Sequence, residues 1–334
     1  MPFTAIMTKE GLSVSEMNTI GVLTSGGDCP GMNAAIRAVV QRAILNGVQV
    51  KGIMRGYAGL MENEIIDMSL QSVSDIAREG GTILYTARCP EFVQPEVLEK
   101  GVRILKSNGI DGLVVIGGDG SFKGAADLAK YGVKVVCIPA TIDLDIGCTD
   151  YTIGFDTAVN TAVTAIDSIK DTSMSHERCS IIEVMGRNAG YIALWCEIAN
   201  GADGILIPEK DAFDEQELIE NIMENRRKGK THHIIINAEG VGESIRLAKR
   251  IEAATGIETR ATILGHIQRG GTPSAKDRVY GAVMGACAAD LLSNGKSQRV
   301  IVYKDGRMQD LDIWEALEMK KTIDEYQLLT SRLV

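Results

Sequence analysis

From Asn18 onward the chain alternates short apolar runs with amphipathic segments almost without interruption, and this rhythm limits the folds open to it. Ile20–Thr24, Val48–Met54, Gly112–Ile116 and Val133–Ile138 have the length and Val/Ile content of buried strands. Between them lie segments with helical spacing. Apolar residues at 35, 36, 39, 40, 43 and 44 share one helix face that ends before Gly47, and Pro95 opens a helix that Gly109 stops. The second half repeats the pattern, with helices expected over 156–170, 215–227, 243–254 and 277–292. Strands are expected over 180–184, 204–207, 232–238, 261–264 and near 300–303, followed by two short helices. Strand and helix in steady succession mean parallel sheets covered by helices on both faces, so the fold class is α/β. At 334 residues the chain exceeds what one hydrophobic core usually serves, so two doubly wound domains are expected. No Pro/Ser-rich linker separates them, and the pattern puts the change just after Asp150.

Composition narrows the partners. A formal charge of −9 argues against nucleic acid, and an anionic ligand would need a local basic cluster set against that field. No apolar run reaches the ~18 residues a membrane helix needs. The seven cysteines are odd in number and contain no CxxC pair, which fits a reducing cytoplasm and no structural zinc. Residues 1–16 are weakly patterned, precede a second methionine at Met17, and are expected to be a disordered extension.

The chemistry gathers where strands end. Pro139 is expected to break the run that ends at Ile138. If the following residues stay extended, Thr141, Asp143 and Asp145 share one side, while Ile142, Leu144 and Ile146 face the other. Two carboxylates and a hydroxyl would then project from the carboxyl end of a strand, where open α/β sheets bind ligands. An Asp-rich surface loop would read the same way on these residues alone. Two further strand ends run into glycine-rich turns, Ser25–Gly31 and Gly117–Ser121, each opening a helix. Bare amides at a helix start form an anion site, and two such turns beside the carboxylates suit a polyphosphate. Neither Gly229-Lys230-Thr231 nor Gly295-Lys296-Ser297 has the upstream glycine of a Walker P-loop. Asp119 could hold Mg²⁺ with substrate phosphates completing the shell. Arg88, Arg178, Arg187 and Arg260 sit at strand ends or glycine-bearing loops, and His266 precedes Arg269 by three residues. Each alone would pass for a solvated charge or salt-bridge partner. Together, in an acidic chain, they suggest a second phosphate on an acceptor.

Thr24–Asp28 with Pro30–Arg37 closely resembles the opening of the bacterial ATP-dependent 6-phosphofructokinases. So do Gly117–Ser121, Pro139–Asp145, Tyr151–Phe155, Glu183–Arg187 and Gly265–Gly271, in the family's order, over Asn18 to about Met319. The resemblance implies transfer of the ATP γ-phosphoryl group to the 1-hydroxyl of fructose 6-phosphate. It makes Asp143 the general base, supported by Thr141 and Arg187, with Arg88 stabilising transition-state charge and Asp119 ligating Mg²⁺. ATP would lie along Gly27, Arg88, Cys89, Gly118, Asp119, Gly120 and Ser121. The sugar phosphate would meet Thr141, Asp143, Asp145, Met185, Gly186, Arg187, Glu239, His266 and Arg269, with Arg178 and Arg260 reaching in from a neighbouring subunit of a homotetramer. The implied domains are 17–153 plus about 266–316 for ATP, and about 154–265 plus 317–334 for the sugar phosphate, with the active site between them.

Departures from the family pattern bear on donor and regulation. Pyrophosphate-using relatives carry Asp where Gly120 stands and Lys where Ala140 stands, so this chain leaves room for a nucleotide α-phosphate. Gly is usual at 140 and Asn at 144, against Ala140 and Leu144 here. Those two changes motivate an alternative, a catalytically weak paralogue that binds nucleotide or sugar phosphate as a regulator. Another sugar phosphate or pyrophosphate as substrate is the other alternative. At the family's effector site, Arg37, Lys170, Lys228, Lys230 and His232 supply basic groups, but Gln41 and Glu64 replace two arginines. Weak activation by ADP and weak inhibition by phosphoenolpyruvate are expected, unless Arg42 or Arg55 compensates.

Overall fold

A computed structural model describes residues 17–209 and 215–330. The expected extension, residues 1–16, lies outside the described residues, as does the end of the implied second domain, 331–334. The chain opens β1 (Thr19–Ser25), α1 (Met32–Leu45), β2 (Gln49–Ile53), α2 (Gly56–Met61), β3 (Ile65–Met68), α3 (Pro95–Ser107), β4 (Gly112–Gly117) and α4 (Asp119–Lys130). It continues β5 (Lys134–Thr141), β6 (Ile153–Gly154), α5 (Phe155–His176), β7 (Cys179–Val184), α6 (Tyr191–Asn200), β8 (Gly204–Leu206), α7 (Glu215–Arg227) and β9 (His233–Ala238). It closes α8 (Ser244–Thr255), β10 (Thr259–Ile263), α9 (Ala275–Ser293), β11 (Arg299–Lys304), β12 (Arg307–Asp312), α10 (Ile313–Glu318) and α11 (Glu325–Thr330). No helix among the described residues is long and apolar enough to cross a membrane.

Two compact units result. The first takes the described residues of 1–141, 146–156 and 269–321, and the second those of 142–145, 157–268 and 322–334.

The first unit is built on a sheet of order β12-β11-β5-β4-β1-β2-β3, with β6 beside β5. The inner strands are parallel, and antiparallel β3 and β12 close the edges. The chain lays β2 on one side of β1 and, after crossing over, β4 on the other. The strand order therefore reverses between β1 and β4, and the crevice outside their carboxyl ends is where such sheets bind ligands. Leu23, Val115, Phe122 and Cys137 belong to the core under one face. On α9, Gly281 and Gly285 let the helix lie against α1, since a Cβ at 285 would stand 2.4 Å from the Ala35 carbonyl oxygen. An ion pair of 2.6 Å between Arg42 and Asp290 closes the far end of this contact.

Several expectations are corrected here. Pro139 does not end its strand: β5 runs to Thr141, with Pro139 opposite Gly117. β11 pairs with β5 only at Val136 and Cys137, so on that flank the missing amide of Pro139 removes nothing. β12 was not anticipated because Arg307–Asp312 is mostly polar. Its signal was the turn Asp305-Gly306, both at positive φ, which is hairpin chemistry. α5 runs to His176 rather than Lys170, where buried Ser173 bonds Ser180 of β7 at 2.5 Å.

The second unit holds a four-stranded, all-parallel sheet of order β10-β7-β9-β8. Every residue of β9, HIIINA, is buried, as expected for a strand covered on both faces.

Candidate active site

In the first unit three adjacent strand ends carry the expected motifs. The ladders pair Ser25 with Gly117 and Gly117 with Pro139, so both glycine turns and the Thr141 motif leave the sheet side by side. Gly117 is forced by this closeness: a Cβ there would stand 2.4 Å from the Ser25 carbonyl oxygen. Gly120 meets nothing within 4 Å, and the nearest group to a Cβ at Gly118 is the Thr141 Cβ, at 3.9 Å. Asp119 is the first residue of α4, where the helix dipole favours a negative charge. Its carboxylate pairs with Lys123 at 2.6 Å, and both side chains are about half exposed, so the pair adds little stability and is readily exchanged. Ser121 is buried, and its carbonyl accepts from the Tyr57 hydroxyl at 2.7 Å, with Tyr57 stacked on Phe92.

The loop bearing Arg88 and Cys89 is fastened to the first turn by polar residues that the sequence reading missed. Asn33, 1% exposed, donates to the carbonyls of Glu79 and Gly80 and accepts from the Ile83 amide. Thr24 donates to the Tyr85 carbonyl, and Thr86 donates to that of Gly26 at 2.7 Å. Arg88 itself is exposed. Burial, followed by the nearby Glu91, pushes the Cys89 thiol up to about 11, so it is not a thiolate near neutrality. Arg269 lies on the same turn: a Cβ at Gly27 would stand 2.4 Å from its Nη1, which donates to the Asp28 carbonyl at 3.2 Å.

The carboxylate pair departs from simple alternation. Leu144 has φ +55°, in the left-handed region that a branched apolar residue adopts at a cost. The strand is already over at Thr141, and the bend at Leu144 removes the two-residue period beyond it. Asp143 is consequently buried at 6% exposure while Asp145 is exposed, and the two do not share one environment.

In the second unit, Met185–Arg187, Glu239 and His266 follow the carboxyl ends of β7, β9 and β10. The Arg187 amide donates to Glu239 Oε1 at 2.5 Å, and the Met185 amide to Gln268 Oε1 at 3.2 Å. Gln268 is fully buried and was another omission. Its signal was an amide inside an otherwise cationic motif. Arg178 and Arg260 are not brought to this group. Arg178 precedes β7 and Arg260 is the second residue of β10, so both lie at the amino edge of the parallel sheet, where each reaches Glu258.

Among the described residues no cluster of three or more His, Cys, Asp and Glu side chains is gathered as a metal cage. One accessible carboxylate at a helix start, with room around Gly120, fits instead a divalent cation that arrives with phosphate ligands.

A parallel α/β sheet that brings two glycine turns and Thr141 to three adjacent strand ends beside its switch point defines a phosphate-handling protein. The phosphofructokinase family model matches residues 19–292, and this chain belongs to that family. It is 59% identical over 309 residues to an ATP-dependent 6-phosphofructokinase of Clostridium perfringens, covering 92% of this chain and 97% of that one. It is 56% identical over 314 residues to the ATP-dependent 6-phosphofructokinase of Bacillus thuringiensis, covering 93% and 98%. The solved phosphofructokinase of Saccharomyces cerevisiae matches with a TM-score of 0.83 and 35% identity over 90% of this chain. That match is 45% of the yeast chain, so this chain spans less than half its length.

Proposed function

We propose that this protein is a kinase that transfers the γ-phosphoryl group of ATP to the 1-hydroxyl of fructose 6-phosphate, giving fructose 1,6-bisphosphate and ADP. The observation that carries the reading is the convergence of the two glycine turns and Thr141 at the switch point of a sheet whose sequence matches ATP-dependent 6-phosphofructokinases nearly end to end.

In this reading the amides of both turns cradle the polyphosphate, Gly27, Gly118, Gly120 and Ser121 line it, and Arg88 and Cys89 flank it. Asp119 would hold Mg²⁺, whose positive charge would offset that of the phosphates. Asp143 accepts the proton of the acceptor hydroxyl, and its burial excludes competing water. Thr141 and Arg187 steady the transferring group, and Arg88 offsets transition-state charge. Met185, Gly186, Glu239, His266 and Arg269 orient the sugar phosphate, with Asp145 nearby in sequence. Open space at Gly120 supports a donor with an α-phosphate over pyrophosphate. Arg178 and Arg260 serve the sugar phosphate of a second copy in a homotetramer. Seven cysteines with no disulfide among them suit a cytoplasmic setting.

A coupled assay that pairs ATP or pyrophosphate with several sugar phosphates tests the reading. Turnover with ATP and fructose 6-phosphate is expected. Turnover only with pyrophosphate, or none with any pair, would overturn it.

A further inference from the structure

Asp277 is a carboxylate with no exposed surface, three residues into α9, and no step described above uses it. A buried carboxylate is costly unless its oxygens are satisfied, so what it holds is informative. The Ser274 hydroxyl accepts the Asp277 amide, which accounts for an acid at this point of a helix start. It does not account for Oδ1, which accepts two inward hydrogen bonds, from the Tyr151 hydroxyl at 2.5 Å and from the Gly154 amide at 2.7 Å.

Both donors belong to the segment that braces Thr141. Gly154 and Ile153 form β6, paired with Thr141 and Ala140 of β5. The Thr152 hydroxyl adds a 2.7 Å bond to the Thr141 carbonyl. The same carboxylate abuts the first glycine turn. A Cβ at Gly31 would stand 3.2 Å from the Asp277 Cβ and 2.7 Å from Ile153, whose carbonyl accepts from the Cys29 thiol at 3.1 Å. Gly31 (φ +105°) and Gly154 (φ +103°) both adopt backbone that only glycine takes cheaply.

The geometry points to Asp277 as a positioning residue: through Gly154 and Tyr151 it fixes where Thr141 stands relative to the Gly26–Gly31 phosphate turn. This deepens the kinase reading and rests on it. Asn at this position retains the oxygen acceptor, so the role follows the hydrogen bonds rather than the charge.

The test is a set of variants in the full chain, Asp277→Ala, Asp277→Asn and Tyr151→Phe, with Asp277→Ala also made in a Thr141→Ala background. Asp277→Ala is expected to lower kcat on the order of 10- to 100-fold, with both KM values moving less than about threefold, as for a reacting group displaced by a fraction of an ångström. Asp277→Asn should recover most of that loss and Tyr151→Phe should fall between. In the Thr141→Ala background, Asp277→Ala should cost less than about threefold more, because the two act through one group. Amide exchange gives a readout independent of turnover: Asp277→Ala should speed exchange over residues 138–142 and 150–156 and leave the β2 and β3 amides unchanged. A wild-type chain inactive on ATP and fructose 6-phosphate would defeat the kinase reading while leaving the exchange result to judge the inference. Unchanged protection at 138–142, an equal loss in both backgrounds, or no recovery with Asn would overturn the inference.

Discussion

Leu144 offers a quantitative test of the turn between the two carboxylates. Its side chain is 5% exposed and its φ is +55°, so two terms oppose each other at one residue. Removing a buried leucine side chain costs about 2–5 kcal/mol. The left-handed backbone costs a non-glycine residue about 1–2 kcal/mol. Leu144→Ala loses the first term and keeps the second. Leu144→Gly loses a similar amount of packing but relieves the backbone, against an unfolded-state entropy penalty of about 0.4–1 kcal/mol. The glycine variant should therefore be the more stable of the two, by about 0–1.6 kcal/mol, the reverse of the order at an ordinary position. Leu144→Val should fall below both expectations for its size, because a β-branched side chain fits this backbone worst. Urea unfolding followed by circular dichroism measures the differences. In the coupled assay both small variants should keep kcat within about tenfold, since neither removes a group that takes a proton or meets phosphate. Alanine more stable than glycine by the usual margin would show that the bend is not what separates Asp143 from Asp145.

Asp143→Asn should bind both substrates but lose kcat by about 10²–10⁴, the usual worth of a general base, and near-full turnover would remove Asp143 from that role. Arg260→Ala and Asp143→Asn proteins, each impaired, should regain activity when mixed under conditions of subunit exchange; no recovery would sink a shared site. Millimolar ADP or phosphoenolpyruvate should barely move the half-saturation point for fructose 6-phosphate. Arg55 pairs with Glu64, Arg42 with Asp290, Lys230 with Asp203 at 2.6 Å and Lys170 with the Asn200 carbonyl, so each of these cations must leave a partner before it could meet an effector phosphate. A tenfold or larger shift would refute this. Alkylation of Cys89 should be slow at pH 7 and rise steadily toward about pH 11 as the thiolate fills, and a plateau near pH 8 would contradict its raised pKa.

The order of strands and helices was legible because buried parallel strands are short, apolar and punctuated by glycine, and the helices between them carry a 3.6-residue stripe. The same signal is silent where polar residues make a strand, as in β12, and where backbone sign rather than hydropathy decides a turn. Leu144 shows the second case. An apolar residue between two aspartates reads as alternation, and only its φ reveals that Asp143 turns inward and Asp145 does not. Asp277 shows a third case: a Ser-x-x-Asp start already explains the acid locally, so its longer reach to Tyr151 and Gly154 leaves no separate mark on the pattern.

The polarity of the second sheet bears on Arg178 and Arg260. Each adjoins a strand that leads to a site motif, yet both lie at the amino edge of their sheet and Arg187 follows the carboxyl edge. The six residues of β7 span about 17–20 Å at ~3.3 Å each, farther than an arginine side chain reaches. Within one chain, therefore, Arg178 starts a full strand's length from a phosphate held by Arg187 and His266, and Arg260, paired with Ser180, starts about 13 Å short of Val184. This placement favours contact with the acceptor phosphate of another copy, the shared site proposed above. The mixed-variant experiment decides whether a second copy receives them.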